Sequence, residues 1–108
     1  MTFDDVKRLL TQFRGNIGNS PHGEFWSGRS QEQFLNDPVP FVTDDSGNPI
    51  KICIPGNGEG SAVIQALRGT PGTIWGPGGS AGRMPRSGSP FMDDADIQSI
   101  SDWITAQR

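Results

Sequence analysis

Apolar residues fall in short, separated groups along this chain, and most groups have a period. From Phe3 to Arg14, the residues Phe3, Val6, Leu10 and Phe13 recur every three or four positions, the spacing that lays one apolar stripe along a helix. Thr2 and Asp5 stand where a reciprocal cap at the helix start needs them, and Gly15 can close it in a left-handed conformation. A shorter helix is predicted over Ser30 to Asn36, with Ser30 as its cap, Gln33 three residues on, and Asp37-Pro38 as its stop. Val39 to Val42 and Ile50 to Ile54 are apolar and β-branched. Asp44-Asp45-Ser46-Gly47-Asn48-Pro49 between them is a turn signal, so a small hairpin is expected, with Cys53 in its second strand. A third helix is predicted from Ser61, as cap, to Arg68, closed by Gly69. The last runs from about Asp94 to Ala106. Asp93 is expected to cap it, Asp94 and Asp96 suit its dipole, and Ile97, Ile100, Trp103 and Ile104 form its stripe.

Three stretches lack a period. Asn16 to Gly28 holds the single histidine, His22, together with Phe25 and Trp26. Gly56-Asn57-Gly58-Glu59-Gly60-Ser61 looks like a phosphate loop, but it lacks the Gly-Lys-Ser/Thr ending and reads as the approach to the third helix. Gly69 to Pro90 is rich in Gly, Pro and Ser, and aperiodic loops of such length usually wrap something or carry function. The expected architecture is mainly α: about four short helices, long Gly/Pro loops and a small β-hairpin insertion, in one domain over residues 1–108. The first and last helices are expected to pack on each other.

Composition adds a constraint. Apolar residues without glycine make up 32 %, against 15 Gly and 9 Pro, which is lean beside the usual ~45–50 % counted with glycine. Either the core is small or a ligand completes it. A net charge of −3 argues against a nucleic-acid partner, whose footprint is a basic face. No apolar run is long enough for a membrane span. Met1-Thr2-Phe3-Asp4-Asp5 has neither the basic start nor the apolar run of a signal peptide. Cys53 is the single cysteine, so an internal disulfide is excluded, and a buried small hydrophobe is the expected role.

Five pieces recur in an informative order: Phe13-Arg14-Gly15; His22-Gly23-Glu24-Phe25-Trp26; Ile54-Pro55-Gly56 with Ser61-Ala62-Val63-Ile64; Gly82-Arg83-Met84-Pro85; and Ile97-Gln98-Ser99-Ile100-Ser101-Asp102-Trp103-Ile104. In this order the chain resembles class I c-type cytochrome domains of bacteria over nearly its whole length. It departs from them at the motif most diagnostic of the family. Where the family has Cys-x-x-Cys-His, this chain has Gly18-Asn19-Ser20-Pro21-His22.

The resemblance implies a haem between His22, as proximal ligand, and Met84, as distal ligand, 62 residues later. It places Pro85 behind the sulfur. Arg83 and Arg86 are candidates to lie near the propionates, and Trp26 and Trp75 to wall the pocket. Without thioether links, such a haem is held by coordination and burial alone. The implied function is one-electron transfer to a redox partner protein, in a family that works in the periplasm or outside the cell. The alternative is a haem-free module of the same shape, acting in protein–protein interaction or as a structural subunit of a larger assembly, with Phe25 and Trp26 plugging the space. Neither reading makes the chain a catalyst by itself. Taken without the resemblance, His22 reads first as an ordinary loop histidine, and Met84 is equally a core filler.

Overall fold

The computed structural model describes residues 1–13, 24–85 and 91–107. Helix α1 spans Phe3–Gln12, and its start is fixed by a reciprocal cap. The Asp5 N–H donates to Thr2 Oγ1 at 3.2 Å, and the Thr2 N–H donates to Asp5 Oδ2 at 2.9 Å. These bonds, first of all the one from the Thr2 backbone, hold the Asp5 carboxyl below the ordinary carboxylate range. Val6 and Leu10 are buried from its apolar stripe. The helix ends at Gln12 with Phe13 as its C-cap, two residues before the expected Arg14; Arg14 and Gly15 lie outside the described residues.

Helix α2 spans Gln31–Asn36 and repeats the device, with Ser30 and Gln33 exchanging bonds and Phe34 and Leu35 buried. The extended backbone of Asp37 ends it ahead of Pro38. Strands β1 (Pro38–Thr43) and β2 (Pro49–Lys51) pair antiparallel. Six residues face three, so the register shifts between Pro38 and Thr43. Phe41 absorbs the shift, with φ of 60° and its ring 89 % exposed. In the turn, Asp44 Oδ1 accepts the N–H groups of Ser46 and Asn48, each at 2.9 Å.

The second strand stops short of the expected Ile54. Ile52 and Cys53 follow its last residue, Lys51, and both are fully buried. Cys53 is therefore core but lies past the strand, and burial pushes its thiol up to about 12.

Helix α3 (Ala62–Arg68) ends on Gly69 at φ 62°, in the left-handed region that glycine adopts without cost. Ser61 sits at its N-cap without capping it. The Ser61 hydroxyl instead donates to the Asn57 carbonyl and accepts from the Ile54 N–H, tying the preceding loop shut. Helix α4 (Asp94–Thr105) likewise starts at Asp93, whose side chain makes no capping bond.

The arrangement is mixed α and β rather than mainly α. Helix accounts for 38 % of the described residues, and the two-stranded sheet takes its own share of the interior through Val39. The first and last helices touch through a stacked pair, Phe3 on Trp103, with centroids 6.0 Å apart. The helix that runs against α4 is α3. Apolar content explains this: α3 buries Ala62, Val63, Ile64 and Leu67, whereas α1 buries two residues. Among the described residues no helix is long and apolar enough to cross a membrane.

Candidate functional site

Met84 belongs to a glycine-rich segment that folds back on α3. From Thr70 onward, main-chain bonds recur three residues apart: Thr73 N–H to Thr70, Gly76 N–H to Thr73, and Gly79 N–H to Gly76. The Ile74 carbonyl then accepts from both Ala81 and Gly82. The turns approach so closely that a Cβ at Gly76 would lie 2.3 Å from the Thr70 carbonyl oxygen. The segment returns to α3 at Met84, whose N–H donates to the Ala66 carbonyl at 2.8 Å. Its side chain is half-buried and packs against the core, which includes Trp26 and Trp75. A methionine in a polar tetrapeptide is thus turned inward by its backbone, not by a periodic stripe.

Arg83, the expected propionate neighbour, is exposed and makes two contacts among the described residues. Its Nε donates to the Leu67 carbonyl at 3.0 Å, and its guanidinium lies over the Phe91 ring, 4.2 Å from the centroid. Two of its interactions are therefore internal, one of them to the carbonyl-rich C-terminal end of α3, where positive charge is favoured.

Trp26 is buried and its Nε1–H donates to Thr11 Oγ1 on α1 at 2.9 Å. Phe25 meets Trp26 edge-on at 5.1 Å and stacks on Phe34 at 6.2 Å. Phe34 in turn meets Phe3 and Trp103. Arg29 holds this segment to the end of α2, with Nη1 donating to the Phe25 carbonyl at 2.8 Å and Nε donating to Asp37 at 3.2 Å. Beside Trp26, an open groove of about 500 Å³ is lined by Lys7, Arg8, Thr11, Gln12, Trp26 and Ser27. Its cations are matched by the helix's own acids, Lys7 with Asp4 and Arg8 with Asp5.

Trp75 is buried within the glycine-rich turns. Trp26 and Trp75 are both buried members of the core. His22 and Arg86 lie outside the described residues. Among the described residues, no three His, Cys, Asp or Glu side chains cluster as a metal site would require.

Two features had no sequence signal. Arg29 and Asp37 lie eight residues apart, too far for a helical pair. The Arg83–Phe91 contact joins a loop to the approach of α4 across five residues outside the described set. A third feature is a clasp between α3 and α4. Arg68 pairs with Glu59, donates from Nη2 to Gln98 at 2.7 Å, and places Nε 3.3 Å from Asp94 without hydrogen-bond geometry. Buried Ser101 donates to the other Glu59 oxygen.

Neither a family model, nor a curated protein, nor a solved structure matches this chain.

Proposed function

We propose that the chain is a cytochrome c-like module that holds a haem without covalent attachment, through His22 and Met84, and exchanges single electrons with a redox partner protein. The observation that supports this reading is the placement of Met84: a thioether pressed against the core by a loop whose backbone is bonded to α3. An imidazole and a thioether form a donor set suited to haem iron, and a haem so ligated supplies a one-electron couple biased toward the ferrous state. The chain's own part is to hold Met84 in place, through the Ala66 carbonyl, and to offer buried indole at Trp26 and Trp75. The lean apolar content supports the reading too, since a porphyrin would add the apolar bulk that the residues lack.

The test is titration of the purified protein with haemin, read by absorption. A Soret band together with a methionine–iron charge-transfer band is expected. The second feature should vanish in Met84→Ala, and both should weaken in His22→Ala. Absence of a Soret band would defeat the reading.

One observation favours the second reading, a haem-free module serving as an interaction domain or assembly subunit. Phe3, Phe25, Trp26, Phe34 and Trp103 close on one another through the chain's own rings. On that reading the protein melts cooperatively without haem, and its melting temperature does not move when haemin is added.

A further inference from the structure

We infer that Arg83 is the positioning residue for the Met84 thioether; the inference rests on the haem reading above. Three observations converge on it. First, Arg83 Nε donates to the Leu67 carbonyl, in the last turn of α3. Second, its guanidinium covers the Phe91 ring at 4.2 Å, drawing the approach to α4 onto the same point. Third, its side chain is packed against Gly69, where a Cβ would lie 2.9 Å from Arg83 Cβ and 3.0 Å from Cγ. The next residue, Met84, donates its N–H to Ala66, one residue before Leu67.

Adjacent residues of the loop thus grip adjacent carbonyls of one helix end. The side chain of Arg83 fixes one grip, and the backbone of Met84 makes the other. A methionine on a loop has three side-chain torsions of freedom. An iron–thioether bond forms well only if its backbone is held, because a ligand group ordered in advance loses less entropy on binding. Arg83 supplies that order from the side away from the core. A charge-assisted bond at a helix C-terminus and a cation over an aromatic face are both within its chemistry.

The experiment is haemin titration of the wild type and of Arg83→Leu, Arg83→Lys and Phe91→Leu, read by Soret absorbance, by the methionine–iron charge-transfer band, and by the melting temperature of the haem-free proteins. Arg83→Leu should retain a Soret band through the histidine but lose about tenfold in the methionine-bound fraction, the equivalent of one such interaction. Arg83→Lys, which keeps one donor and the charge, should recover part of the band. Phe91→Leu should weaken it less and leave the haem-free fold intact, so it carries the test if Arg83→Leu does not fold. If the wild type binds haem with a Met84-dependent band and neither Arg83→Leu nor Phe91→Leu alters that band, the assignment of Arg83 is overturned while the haem reading stands. If the wild type shows no Met84-dependent band, the haem reading fails and takes this assignment with it.

Discussion

Between α1, α2 and α4 the interior is closed by rings; along residues 69–85 it is closed by main chain. In the first region Phe3, Phe25, Trp26, Phe34 and Trp103 touch in sequence, with centroids 5.1 to 6.4 Å apart. In the second, successive turns stack carbonyl on glycine, and Trp75 is the large side chain they enclose. A chain with 32 % apolar residues and 15 glycines excludes water with side chains where it has them and with close backbone contact where it does not. The two solutions differ in what breaks them. A ring cluster is weakened by removing volume, and a backbone stack by adding it.

The largest effect expected on that comparison is Phe34→Ala. Phe34 is fully buried and meets three other rings, so its truncation should cost about 3–5 kcal/mol, read from urea unfolding. Gly76→Ala adds one methyl against the Thr70 carbonyl and should cost about 1–3 kcal/mol. A neutral result there would mean that the turns are not packed on backbone. Thr11→Val keeps the shape but removes the acceptor of the Trp26 N–H. It should cost about 1–2 kcal/mol and shift Trp26 fluorescence, showing that the ring cluster also depends on polar satisfaction.

The smallest effect, absent at neutral pH, concerns Cys53. Its thiol ionises near 9.0 when exposed and near 12 in the fold, so the unfolded chain releases its proton first. Stability from this group is whole below about pH 9 and declines as pH rises toward 12. Comparing urea midpoints across that window for wild type and Cys53→Ala should isolate the slope.

Local signals in the sequence located the elements well, because capping boxes at Thr2 and Ser30 and the left-handed stop at Gly69 depend on neighbours within four residues. What failed was anything set by contacts between elements. Cap-like residues at Ser61 and Asp93 took other roles or none, since tertiary partners competed for Ser61 and Asp93 makes no side-chain cap. Besides its Phe3–Trp103 contact with α1, α4 packs on α3, because helix pairing follows buried apolar area rather than order along the chain. The hairpin is shorter on one side than on the other, and nothing in Pro38-Val39-Pro40-Phe41-Val42-Thr43 announces a left-handed phenylalanine. The candidate site was half legible. Met84 and the two tryptophans could be named from the sequence, while the Arg83 and Arg29 anchors reach backbone carbonyls, which carry no sequence identity.

The loop ahead of α3 meets the last turns of α4 at three points. The Gly56 N–H donates to the Ile104 carbonyl, the Gly58 N–H donates to Thr105 Oγ1, and a Cβ on Gly58 would sit 2.1 Å from the Ser101 carbonyl oxygen. Surface connections usually tolerate insertions; this one does not. A single residue added between 54 and 60 would pull three anchors out of step at once, whereas the turn at 44–48 is closed by Asp44, has one exposed outside tie, from the Ser80 hydroxyl to Asp45 Oδ1, and has room to lengthen. Variation in chain length among descendants of this protein should therefore collect at the hairpin tip and leave the 54–60 connection constant.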